Sequence, residues 1–151
     1  MIRFALLMAM LFASTLVTGC AQSRPAIVPV EGVLLLDGEP VPSAEVQFIP
    51  MERGLGAEYI AVGTTDERGR FALLCNGQAG ACACENRVVV ADASPPESAR
   101  GQSSASQVEM SRFYAGLKNR PIPVMYTSAA RTPVTVAVNL ERGEYRIELR
   151  R

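Results

Sequence analysis

Short runs of alternating apolar and polar residues, each closed by a turn signal, dominate this chain from Ile27 onward. Ala44, Val46 and Phe48 fall on one side of an extended segment and Glu45 and Gln47 on the other, until Pro50 stops it. Tyr145, Ile147 and Leu149 alternate in the same way against Glu144, Arg146, Glu148 and Arg150, and Val134, Val136 and Val138 share a face within Thr132 to Leu140. A period of two matches the strand, whose successive side chains point to opposite faces, and cannot form one apolar helix stripe. The remaining runs are Ile27 to Leu36, Glu58 to Thr65, Phe71 to Cys75, and Arg87 to Ala91, where Val88-Val89-Val90 reads as a central strand buried on both sides.

The punctuation agrees. Asp37-Gly38 suits a two-residue type I′ hairpin, whose two positions both need positive φ. Pro40 and Pro42 hold the chain extended and mark a sheet edge. In Thr65-Asp66-Glu67-Arg68-Gly69-Arg70, Asp66 is placed to cap its own backbone and Gly69 to take a left-handed position. Glu141-Arg142-Gly143 turns the chain into its last run. The expectation is an all-β fold: a sandwich of about seven short strands in a Greek-key-like arrangement over residues 28–151.

One stretch breaks the pattern, residues 92–122. Its first half, Ser94 to Ser106, is polar and of low complexity, as mobile loops are. In its second half Met110, Phe113, Tyr114 and Leu117 recur at helical spacing. Either a short amphipathic helix from Gln107 to Lys118 packs on the sandwich edge, or the whole stretch is a long loop with a frayed helix. Long loops in compact domains are often functional, so a contact surface is expected here first. Its polar anchors would be Arg112 and Arg120, with Arg131 just beyond.

The N-terminus reads as an address. Arg3 is followed by an apolar run from Phe4 to Val17, too short to span a bilayer comfortably and about the length of a signal-peptide core. It ends in Val17-Thr18-Gly19-Cys20, which resembles the lipobox of bacterial lipoproteins. That resemblance implies a signal peptide at 1–19, a lipid anchor on Cys20 and a tether at 20–27, which reaches only about 20 Å. Ala21 in place of Asp leans towards the outer membrane. An ordinary secretory signal, with Cys20 incidental, is the alternative.

Three further cysteines then stand in an oxidising compartment: Cys75, Cys82 and Cys84. On an extended segment Cys82 and Cys84 share a face, and both could compete for Cys75 across Asn76-Gly77-Gln78-Ala79-Gly80. One disulfide from Cys75 to either is expected, contributing about 2–3 kcal/mol and leaving one thiol over. Three free thiols are the next reading. A metal or redox site is the third, but only Glu85 is at hand as a fourth ligand and the spacing is CxC, not CxxC.

Four segments, in order, resemble bacterial lipoproteins that carry a carboxypeptidase regulatory-like, transthyretin-like β-sandwich. They are Glu31-Gly32-Val33-Leu34-Leu35-Leu36-Asp37-Gly38-Glu39-Pro40-Val41, Ala44 to Pro50, Thr64 to Phe71 with its T-D-x-x-G-x-F turn, and Pro123-Val124-Met125-Tyr126 through Thr132-Pro133-Val134-Thr135-Val136. Gly80-Ala81-Cys82-Ala83-Cys84-Glu85-Asn86-Arg87-Val88 departs from the family's usual "G-A-x-P-G-x-Y-x-V" there. The resemblance implies a fold and a location, with the domain a stabilising or binding appendage.

Composition removes several function classes. The chain has no histidine, hence no Ser-His-Asp or Cys-His constellation. Lys118 is its single lysine, and nothing in the spacing pairs it with Ser103 or Ser111. Asp66 and Glu67 sit in a turn, where carboxylates are solvated. With 15 basic and 15 acidic residues there is no field to attract nucleic acid. The expected function is therefore non-catalytic, without cofactor or metal. It is a membrane-anchored, extracytoplasmic module that binds an envelope protein or glycan, with a purely structural envelope lipoprotein as the alternative.

Overall fold

The computed structural model describes residues 25–151 apart from Arg142. The expected signal peptide, the start of the expected tether and the middle of the Glu141-Arg142-Gly143 turn lie outside the described residues.

Among those residues the chain is mostly β-strand in antiparallel sheets, with one α-helix, consistent with an all-β sandwich. The strands are β1 (Ile27–Val28), β2 (Glu31–Leu36), β3 (Glu39–Pro40), β4 (Ala44–Pro50), β5 (Ala61–Thr64), β6 (Arg70–Ala72), β7 (Leu74–Cys75), β8 (Gln78–Ala79), β9 (Ala81–Cys82), β10 (Glu85–Asp92), β11 (Thr135–Ala137) and β12 (Glu144–Leu149). The helix α1 spans Ser104–Gly116. One sheet runs β11-β10-β4-β5-β7-β8; the other runs β12-β2-β3, with β6 also on β2; β1 and β9 form a separate pair.

The two large sheets meet through side chains that the alternation had already sorted. Ala44, Val46 and Phe48 are fully buried, while Glu45 and Gln47 between them are only partly so. Tyr145, Ile147 and Leu149 are buried from the other sheet. The Phe48 ring lies 6.3 Å from Phe71 and 6.4 Å from Tyr145, so one side chain of the six-stranded sheet touches two of the facing sheet. Each such buried apolar side chain stabilises the fold by about 1.5–3 kcal/mol. Val88, Val89 and Val90 are all buried in β10, which is central, as expected of an unbroken apolar run.

The turns obey their local chemistry. Asp37 and Gly38 take φ of 54° and 84° between β2 and β3, as a type I′ turn requires. Asp66 Oδ1 accepts from the backbone N–H of Arg68 and of Arg70, both at 2.8 Å, and Gly69 has φ 72°. Thr65 pins the approach to β4: its hydroxyl donates to the Val41 carbonyl and accepts from Ala44 N–H.

Several runs divide where one strand was expected. Ile27 to Leu36 splits into β1 and β2 around Pro29-Val30, and Phe71 to Cys75 contributes to β6 and β7 on either side of Leu73. The two breaks are coupled, for Leu73 N–H donates to Val30 carbonyl at 3.0 Å. At that crossing the second run passes from the smaller sheet to the larger one. Alternation within a run does not say that its two halves join different sheets. Glu58 to Thr65 begins as a 3₁₀ turn (Ala57–Tyr59) and is a strand only from Ala61. Of Thr132 to Leu140, only Thr135–Ala137 pairs as a strand. The last strand adds a feature no local pattern carries: β12 pairs parallel to β2, Tyr145 opposite Gly32.

The helix within 92–122 starts three residues earlier than its apolar spacing predicts and ends two earlier. Ser103 sets the start, accepting from Ser106 N–H as an N-cap. Among the strands and helices its main neighbour is the 3₁₀ turn Glu97–Arg100, inside the stretch read as loop. With so shallow a support, Met110, Phe113 and Leu117 are half-buried and Tyr114 is 60% exposed. No helix among the described residues is long and apolar enough to cross a membrane.

Candidate functional site

Two regions gather the residues singled out in the sequence. The first is the outer side of α1. Ser104, Gln107, Val108, Ser111, Arg112 and Ala115 line an open groove of about 540 Å³. Val108 is 50% exposed there. Arg112 sits among them on the helix surface, where a guanidinium can meet an acidic or carbonyl-rich partner.

The other two arginines do not join it. Arg120 is a structural clasp, which corrects its assignment as a partner contact. Its side chain is only 14% exposed and pairs with Asp92. It also donates to the carbonyls of Pro42 (2.8 Å), Ser43 (3.1 Å) and Lys118 (2.7 Å). Asn119 beside it donates to Leu36 and Glu39 carbonyls, both at 3.0 Å, and accepts from Arg151 at 2.8 Å. Together they tie the end of the helical excursion back onto the sandwich, Asn119 to the smaller sheet and Arg120 to β10 of the larger one and the approach to β4. Arg131 is exposed in the turn that follows the 3₁₀ segment Val124–Thr127, away from the helix groove.

The second region is the thiol corner. Cys75, Cys82 and Cys84 are free thiols in the structure, where one disulfide from Cys75 was expected. Cys82 and Cys84 are also not equivalent members of one extended face. Cys84 N–H donates to Cys82 carbonyl at 2.8 Å, a tight turn that ends β9 and leaves Cys82 fully buried and Cys84 partly exposed. Cys75 and Cys82 are occupied as donors, to the Glu58 carbonyl (3.5 Å) and the Tyr59 carbonyl (4.0 Å). Their sulfurs thus converge on successive carbonyls of one 3₁₀ turn. The Cys84 thiol donates to the Glu85 carbonyl at 3.5 Å.

Burial governs how these thiols titrate. It pushes all three up, and Cys82 furthest, to about 12, with the neighbouring charges of Cys84, Cys75 and Glu52 adding to the same direction. No group of three or more His, Cys, Asp or Glu among the described residues is arranged to hold a metal ion.

Asn86 is the residue that sequence reading missed. Fully buried in β10, it donates from Nδ2 to the Cys82 carbonyl (3.0 Å), the Cys84 carbonyl (2.8 Å) and more weakly to Cys84 Sγ (3.8 Å). It clamps the CxC turn. Its Oδ1 is buried without a hydrogen-bond partner, a costly state for a polar atom. The available signal was an asparagine two residues after the second cysteine and two before a valine run, a polar residue where a core strand begins.

Cys20, the proposed lipidation site, lies outside the described residues. In comparisons with known proteins, no family model matches the chain, and no curated protein or solved structure does so either.

Proposed function

We propose that this chain is a lipid-anchored, non-catalytic binding or adhesion module of a bacterial cell envelope, held at the outer membrane through acylated Cys20. The observation that carries the binding reading is the outer face of α1. Val108 at 50% exposure, with Arg112 alongside, forms an apolar and cationic surface on a helix that the sandwich does not need for its own core. An exposed apolar group next to an arginine is what interfaces draw on. The partner is an envelope protein or a glycan.

Support for the anchor is the Arg3, apolar-run and Val17-Thr18-Gly19-Cys20 order. Acyl chains on that cysteine, at about 0.8 kcal/mol per buried CH₂, would make a durable attachment. The ordered motifs at Glu31–Val41, Ala44–Pro50, Thr64–Phe71 and Pro123–Val136 support a carboxypeptidase regulatory-like sandwich. The lack of histidine supports a role without catalysis.

Two measurements test the reading separately. Palmitate labelling of cells expressing the wild type and Cys20→Ala checks the anchor; an unlabelled wild type would overturn it. In-cell cross-linking of the wild type against a Val108→Asp/Arg112→Ala variant checks the binding face, and leaves the Asn119 and Arg120 clasp intact. One dominant partner that is lost in the variant supports the module. A partner retained at full yield places its contact away from this face; none in either favours a purely structural lipoprotein or a glycan that protein cross-linkers do not capture.

A further inference from the structure

The outer edge of β12 carries an inference independent of the anchor and of the α1 face. We propose that it is the docking edge for a second copy of this chain, which joins the two smaller sheets into one across a two-fold axis at Ile147. The Gly143 and Leu149 carbonyls accept from the N–H groups of Glu31 and Asp37, both at 2.9 Å. Successive residues of a strand direct their backbone groups to opposite sides, so Tyr145, Ile147 and Leu149 bond to β2. Glu144, Arg146, Glu148 and Arg150 turn theirs away from it. β12 ends its sheet on that side, and among the described residues no strand pairs with it there. An open strand edge is a template for another strand.

Tyr126 marks where the open part stops. Its hydroxyl accepts from the Arg150 N–H and donates to the Arg150 carbonyl, both at 3.1 Å, in the place a neighbouring strand would take. Arg146 and Glu148 are left as the outward pair at the middle of the edge. Their side chains lie 3.4 Å apart on the solvent face and are 62% and 39% exposed.

The order of charges selects the occupant. Glu144, Arg146, Glu148 and Arg150 alternate in sign along one exposed face. When two such strands run antiparallel about Ile147, Arg146 of each copy stands opposite Glu148 of the other, and Glu144 opposite Arg150. Arg146 and Glu148 both point their backbone outward, so each exchanges two hydrogen bonds with its opposite. Sliding one strand by two residues brings Arg146 onto Arg146 or Glu148 onto Glu148, and like charges directly opposite destabilise a pair. A row of one sign would repel its own copy in every register. Alternating signs repel the wrong registers and match the antiparallel one. The same patch serves both copies, so the contact closes as a dimer.

The test co-expresses two full-length copies with different affinity tags and reads how much of one is captured with the other. Arg146→Glu in both copies sets acid against acid at the two symmetric contacts, and Glu148→Arg sets base against base. Each lowers co-capture by about fivefold or more. Pairing an Arg146→Glu copy with a Glu148→Arg copy restores it, as does the double substitution in both copies. Both side chains are exposed, so folding is retained, and an anchor common to all variants gives a constant background. The backbone N–H groups of Arg146 and Glu148 exchange more slowly in the wild type than in Arg146→Glu, which locates the contact at this edge. No co-capture of the wild type, no change in either single variant, no recovery in the mixed pair, or equal exchange at Arg146 and Glu148 overturns the proposal.

Discussion

Phe48 meets Tyr145 edge-on across the sandwich, with ring centroids 6.4 Å apart and planes at 81°. The two come from strands nearly a hundred residues apart, β4 in one sheet and β12 in the other, and Phe48 also touches Phe71. That contact joins the sheets at their centre. Phe48→Ala should therefore cost about 3–5 kcal/mol of stability, measured by urea unfolding. A loss below about 1 kcal/mol would mean that the sheets do not depend on this junction.

Arg120 predicts a local effect. Removing it in Arg120→Ala leaves the Asp92 carboxylate and the Pro42 and Ser43 carbonyls without their common donor. The expected loss is about 1–3 kcal/mol. Protease cleavage within residues 101–118 should become faster than in the wild type, whereas Arg131→Ala should change neither reading.

Gly80 has φ of 121°, and a Cβ there would lie 1.9 Å from the Val28 carbonyl oxygen. Backbone against backbone cannot be relieved by a rotamer change. Gly80→Ala should lose more than about 1 kcal/mol and perturb the pairing of β1 with β9, seen as faster amide exchange at Val28 and Ala81. Gly77→Ala, with open space around its Cβ position, isolates the cost of positive φ alone.

The thiols make stability fall at high pH. Burial raises Cys82 from 9.0 to about 12, so the folded state holds that proton over a range where the unfolded chain has released it. The stabilisation is complete below pH 9 and is lost as pH rises towards 12. Unfolding of the reduced protein at pH 8, 9.5 and 10.5 should show a decline that Cys82→Ala makes shallower. Equal slopes in the two proteins would exclude Cys82 as its source.

Much of this was legible because its causes are local. The inward faces of Ala44–Phe48 and Tyr145–Leu149, the Asp37-Gly38 turn and the Asp66 cap each depend on residues within a few positions of one another. The candidate sites were legible only in part. Cys75, Cys82 and Cys84 stood out by type, yet their unequal burial follows from a turn that Asn86 enforces from the next strand. Arg120 was chosen as an exposed cation; its partners at Pro42 and Ser43 lie 78 and 77 residues away, and no spacing announces them.

The sequence by itself determined the strand character and the side of each strand that faces the core; it also holds the Ser103 hydroxyl that caps the helix, although the apolar spacing put the start three residues later. A period of two and a capping hydroxyl act over a few residues and need no distant partner. Tertiary structure alone decided which sheet each half-run joins, the parallel pairing of β12 with β2, the placement of the Cys75 and Cys82 thiols against successive carbonyls of one 3₁₀ turn and the exposure of the outer face of α1. Each of these depends on contacts between segments far apart in the chain, settled by which apolar surfaces can be buried together once the sheets close.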